Sequence, residues 1–119
     1  MLSVKIGDLG YNIELGGFVN IIDKTLALKE LVYYTELMLK AYLELETKRI
    51  DFINWRESTK FQIKKDLAST GDDITDGLVT SRLLRSKEWL EEQKKLSQAK
   101  YSYKVLKEVI EIIKQRLLL

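Results

Sequence analysis

The 119-residue chain contains no proline, no cysteine and no histidine, and it has only 6 glycines. Proline and glycine are the residues that most often interrupt helices. No glycine occurs between Gly17 and Gly71, or from Leu78 to the last residue. The sequence therefore predicts two long helical segments, joined by a loop over residues 69–77 that is rich in glycine, aspartate, serine and threonine.

The missing cysteine and histidine exclude several kinds of chemistry. Without them the chain has no disulfide, no thiol nucleophile, no imidazole base and none of the usual zinc sites. The acidic cluster over residues 72–76 lacks the alternating oxygen ligands and the final glutamate of an EF-hand loop. The phosphate-binding pattern G-x-x-x-x-G-K is missing too. We therefore predict a protein that is not an enzyme and that holds neither a metal ion nor a cofactor.

The overall composition is typical of a soluble helical protein. Hydrophobic residues make up 45% of the chain and charged residues 32%, with a formal net charge of +2. So small a charge neither requires nor excludes an anionic partner. The first residues lack the basic and apolar regions of a signal peptide, and no apolar run is long enough to cross a bilayer. We expect a cytoplasmic protein that does not associate with membranes.

The first 17 residues differ in pattern from the rest. Apolar residues alternate with other residues over 4–6 and again over 9–15, which is typical of short strands. Gly7 and Asp8 lie between the two runs, where a turn is expected. We predict an N-terminal extended arm or small hairpin over residues 1–17, followed by a helical domain over residues 18–119.

The first long helix is predicted to begin near Phe18 to Asn20 and to end near Ala68. Two polar stretches, over residues 46–49 and 57–59, are places where it could break. After the loop, Thr75 or Ser81 could cap the next helix. The segment over 77–85 forms either a short separate helix or the start of the last long one.

The last segment shows a heptad pattern, in which apolar residues alternate in steps of three and four. These residues are Leu96, Ala99, Tyr103, Leu106, Ile110, Ile113 and Leu117. A heptad repeat indicates coiled-coil packing, and a second apolar stripe beside it favours an assembly of several helices. The predicted fold is all-α: a long antiparallel helical hairpin with a coiled-coil C-terminal helix, which forms a homo-oligomer.

Basic residues concentrate on the two sides of the loop, near aromatic residues. They are Lys48, Arg49, Arg56, Lys60, Lys64, Lys65, Arg82 and Arg85. Trp55, Phe52 and Phe61 lie among them. Lysine and arginine beside aromatic rings suit single-stranded nucleic acid, because they neutralise phosphates while the rings stack on bases. The alternative is a solvated charged face whose aromatic side chains point into the core.

The order of these parts resembles the UvsY-type recombination mediators of bacteriophages and related phage single-stranded-DNA-binding helical proteins. A basic, aromatic-containing helix precedes a short loop and the run Thr75-Asp76-Gly77-Leu78-Val79-Thr80-Ser81-Arg82. Lys87-Glu88-Trp89-Leu90 and the heptad helix follow. The resemblance covers roughly residues 28 to 119.

This resemblance implies a protein that oligomerises and binds single-stranded DNA. It further implies that the protein helps a recombinase to displace the single-strand-binding protein, in the cytoplasm of the host cell. The DNA contacts would be the eight basic residues named above. The subunits would be held together by residues of the C-terminal helix: Leu96, Tyr103, Leu106, Ile110, Ile113 and Leu117. A structural or adaptor coiled coil that binds only protein partners, such as a viral inhibitor or assembly factor, is the alternative function.

Overall fold

The computed structural model describes residues 2–13, 24–71 and 73–118. Within them, strands β1 (Leu2–Ile6) and β2 (Leu9–Ile13) come first. Helices α1 (Lys24–Thr70), α2 (Asp76–Arg85) and α3 (Lys87–Leu117) follow. The protein is thus mostly helical, with a two-stranded antiparallel sheet at its N-terminal end. The predicted start of the first helix, at residues 18–20, lies outside the described residues.

The N-terminal hairpin predicted from the alternating pattern is confirmed. β1 and β2 pair antiparallel, with Val4 opposite Tyr11 and Ile6 opposite Leu9. Gly7 adopts a φ of 61°, which glycine tolerates and which a two-residue turn of this kind requires. Because side chains alternate across a strand, one face of the hairpin is apolar and buries Val4.

Helix α1 runs over 47 residues without interruption, so neither of the two possible breaks occurs. The stretches over 46–49 and 57–59 are polar but contain neither glycine nor proline, and polar side chains on a solvated face do not interrupt a helix. The helix ends at Thr70, and the next residue, Gly71, has a φ of 78° and donates its N–H to the Ala68 carbonyl at 3.3 Å. A glycine in this conformation is a common helix terminator.

The segment after the loop is a separate short helix. Thr75 caps it as predicted, because its hydroxyl accepts a hydrogen bond from the Leu78 N–H at 3.2 Å. Ser81 lies inside the helix. Ser86 has an extended backbone, with φ −69° and ψ 146°, and separates α2 from α3. Its hydroxyl and its N–H both donate to the Leu83 carbonyl, at 2.8 Å and 3.2 Å.

The chain divides into two compact units. The first comprises residues 1–46 and 97–119, and the second comprises residues 47–96. The core of the first unit combines the hairpin, the early part of α1 and the later part of α3. Its buried residues are Val4, Ile13, Tyr34, Leu37, Ala41, Val105, Leu106, Val109, Ile110 and Ile113. The hairpin is also held by a hydrogen bond, which the Ser102 hydroxyl donates to the Lys5 carbonyl at 2.7 Å.

The heptad residues of α3 contribute to this core. Ala99, Leu106, Ile110 and Ile113 are buried, while Tyr103 and Leu117 pack against the cluster and are partly buried. Leu96, which belongs to the second unit, is half-buried. Most of the pattern that predicted subunit contacts is therefore covered within a single copy of the chain.

The second unit has its own buried residues: Phe52, Leu67, Val79 and Leu83. Three aromatic rings pack beside one another, with centroid separations of 5.6 Å for Phe52–Trp89, 6.0 Å for Phe52–Trp55 and 6.1 Å for Trp55–Trp89. This aromatic cluster connects α1 with the beginning of α3. Among the described residues, none of the helices combines the length and the hydrophobicity that a membrane span requires.

Candidate nucleic-acid interface

All eight basic residues predicted to bind DNA belong to the second unit. Six of them are on α1 and two on α2. Arg49, Lys64, Lys65, Arg82 and Arg85 are exposed, and the other three are half-buried. The structure therefore places the predicted residues on one compact part of the molecule, and none of them is fully buried.

The half-burial of some of these side chains follows from helix geometry. Arg56, Lys60 and Lys64 follow the buried Phe52 in steps of four residues. Each step of four rotates the side chain by about 40° around the helix axis. The row therefore turns gradually from the core to the solvent, through the half-buried Arg56 and Lys60 to the exposed Lys64. Lys64 is the member of this row best placed to meet a large ligand.

Arg56 already has an acidic neighbour. Its Nε lies 3.2 Å from Glu57 Oε1, and both side chains are solvent-accessible. An ion pair in this setting contributes little to stability, but it lowers the net positive charge at this point of the surface. Further along α1, Lys60, Lys64 and Lys65 add positive charge to the surface of this unit.

Phe61 differs from the other aromatic residues of the second unit because it faces the solvent. Its exposed fraction is 63%. The Lys65 Nζ lies 5.6 Å from the centroid of its ring, within the range of a cation–π contact. Lys64, three residues further along, lies on the same side of the helix and is exposed. An exposed ring with two lysines on its side of the helix combines the two features that single-stranded DNA requires, a stacking surface and positive charge.

Phe52, Trp55 and Trp89 have a different role. Phe52 is buried, while Trp55 and Trp89 are half-buried, and each ring contacts the other two. These three side chains match the alternative considered for the sequence, in which the aromatic residues point into the core. Phe61 does not match it.

Arg82 and Arg85 lie in the last turn of α2. Positive side chains are favourable there, because the carbonyl groups at a helix C-terminus carry partial negative charge. Val79 and Leu83 of the same helix are buried in the second unit. The two exposed arginines therefore belong to a helix that is fixed by its apolar side chains.

One acidic group among the described residues has a clearly perturbed pKa, since burial raises the pKa of Glu30 above its ordinary value of 4.5. Glu30 lies in the first unit, away in sequence from the basic residues. Among residues 2–13, 24–71 and 73–118, acidic side chains do not form a group of three that could hold a metal ion.

No family model, no curated protein and no solved structure matches this chain.

Proposed function

We propose that the protein is a non-enzymatic mediator of DNA recombination that binds single-stranded DNA as an oligomer and assists the loading of a recombinase. The observation that carries this proposal is the exposed Phe61 ring with Lys65 beside it. A phenylalanine of this exposure adds little to the fold, since its apolar surface stays in water. A nucleobase stacked on the ring would cover that surface, and the neighbouring lysines would neutralise the flanking phosphates.

We further propose that the helices form the antiparallel helical hairpin, with coiled-coil character, expected from the sequence. Two ring contacts support it. Tyr42 of α1 meets Tyr103 of α3 at 5.7 Å in the first unit, and Phe52 of α1 meets Trp89 of α3 at 5.6 Å in the second.

Oligomerisation supplies the affinity that one copy lacks. With a net charge of only +2, a single copy carries few phosphate contacts and is expected to bind weakly. Several copies on one strand add their weak contacts, because after the first contact the others are effectively intramolecular. Such an assembly could compete with a single-strand-binding protein and still release the strand to a recombinase.

Binding of a fluorescent oligothymidine, followed by anisotropy at several salt concentrations, tests the DNA part. We expect measurable binding at low salt that weakens steeply as salt rises, because phosphate neutralisation releases counterions. Replacing Lys60, Lys64 and Lys65 together by alanine should remove most of it. The matched control replaces Lys100, Lys104 and Lys107, three exposed lysines of α3, and should change affinity far less. Equal losses in both variants would show that net charge alone drives binding.

Phe61→Ala tests the stacking surface separately from the charge. Base stacking on an aromatic side chain is worth roughly 1–3 kcal/mol, so we expect at least a fivefold loss of affinity. Phe61→Tyr should retain binding because it keeps a ring. Leu90→Ala is the control, since Leu90 is 64% exposed in the same unit. Unchanged affinity in Phe61→Ala would contradict the proposed site.

The second candidate function is a protein-binding adaptor without affinity for DNA. Exposed apolar side chains on α1, such as Leu28 and Leu39, favour it because they suit a helical protein partner. No detectable oligothymidine binding at low salt would select this function over the first.

A further inference from the structure

Helix α1 carries apolar side chains on two sides in the first unit. Tyr34, Leu37 and Ala41 are buried in the core. On another side lie Leu28, Val32, Leu39 and Leu43, which are exposed by between 53% and 65%. We call these four residues the outer stripe.

The spacing of the outer stripe is that of a helix contact surface. Its residues follow one another in steps of four, seven and four, so they lie along one face of the helix. The pattern also repeats after 11 residues, from Leu28 to Leu39 and from Val32 to Leu43. A repeat of 11 residues stays close to the natural period of the α-helix, so the stripe runs nearly straight along α1.

We infer that the outer stripe packs against the outer stripe of a second copy of this chain. The inference rests on the self-association that we propose above, and it assigns a surface to it. The steps of four, seven and four read the same in both directions. Two copies can therefore match all four residues whether the helices run parallel or antiparallel.

The charges beside the stripe are compatible with pairing between copies. Lys29, Glu36 and Lys40 are exposed along its length, and their mixture of signs avoids strong repulsion. A standard interface buries about 800 Å² on each partner. The outer stripe supplies only part of such an area, because its four side chains are exposed by 53% to 65%. We therefore expect a weak association that increases with protein concentration.

Sedimentation equilibrium over a range of concentrations tests this surface. The wild-type mass should rise above 13.9 kDa with concentration, whereas Leu39→Lys should remain a monomer with an unchanged circular dichroism spectrum. The control is Leu9→Lys, because Leu9 is 64% exposed in the same unit but lies on the hairpin. This variant should associate like the wild type. A Leu39→Lys variant that associates as strongly as Leu9→Lys would overturn the inference.

Disulfide trapping gives an independent test, because the natural chain has no cysteine. In the double variant Val32→Cys/Leu39→Cys, the two positions are about 10 Å apart along one helix. That separation is too large for a disulfide within one chain. Oxidation should therefore produce covalent dimers in either helix orientation, while Leu9→Cys should give few. A double variant that yields no more dimer than Leu9→Cys would also overturn the inference.

These outcomes separate the surface from the proposed function. Oligomers that persist in Leu39→Lys would show that self-association uses another surface, and the DNA-binding proposal would stand. A wild-type chain that stays monomeric at every concentration would overturn both the surface and the proposed avidity. The outer stripe would then be assigned to a partner of different sequence.

Discussion

Phe52 and Phe61 show how strongly the position on a helix decides the role of a residue. They are nine residues apart on α1, which corresponds to about half a turn around the helix axis. Phe52 is 9% exposed and packs on two tryptophans, while Phe61 is 63% exposed and lies beside Lys65. The same residue type therefore contributes to the core at one position and offers a binding surface at the other.

Among the described residues, Glu30 is one at which stability should depend on pH. Its Oε2 atom is buried and has no hydrogen-bond partner among the described residues, and burial raises the pKa of this carboxyl. A carboxyl with a raised pKa binds a proton more readily in the folded than in the unfolded protein. Stability should consequently fall as pH rises from about the ordinary value of 4.5 through the folded pKa.

Glu30→Gln removes this charge, so we expect a higher Tm at pH 7 and a weaker dependence of Tm on pH between 4 and 7. Thermal unfolding followed by circular dichroism measures both. Glu36→Gln is the control because Glu36 is exposed on the same helix, and its Tm should follow the wild type. Glu30→Gln with a lower Tm at pH 7 than the wild type would contradict the assignment.

At the scale of the elements, the hairpin depends on a helix for its stability. An isolated two-stranded hairpin is marginal in water. Here its apolar face joins the core of the first unit through Val4 and Ile13. Ser102 adds a polar connection, since its buried hydroxyl donates to the Lys5 carbonyl at 2.7 Å.

Ser102→Ala should destabilise the first unit by about 1–3 kcal/mol, because the Lys5 carbonyl would lose its partner. Urea unfolding followed by circular dichroism measures the difference. Ser97→Ala is the matched control, since Ser97 is an exposed serine of the same helix. Equal stability of the two variants would show that water replaces the Ser102 hydroxyl without cost.

The elements also show which features of the fold were accessible from the sequence. The hairpin and the Thr75 cap were predictable because each depends on neighbouring residues. The continuity of α1 was not, because polar residues at 46–49 suit both a solvated helix face and a loop. The exposure of Phe61 was not predictable either. It depends on which side of α1 the rest of the chain covers, and that is a property of tertiary packing.

At the scale of the whole molecule, self-association could use either of two surfaces. One is the heptad of α3, and the other is the outer stripe of α1. A heptad pattern alone does not distinguish contacts within a chain from contacts between chains, since both bury the same seam. In the structure, Leu106, Ile110 and Ile113 are buried in the core of the first unit of one chain. The outer stripe is exposed instead.

Ile113→Asp distinguishes these two possibilities. Ile113 is fully buried, and an unpaired charge at such a position costs several kcal/mol. We expect the first unit to unfold, with loss of helical signal in circular dichroism and a broadened or missing thermal transition. Leu39→Lys should keep both. If Ile113→Asp instead gave a well-folded monomer, α3 would hold subunits together and its packing within the chain would be dispensable. The comparison thus determines whether the heptad of α3 builds the protomer or joins protomers.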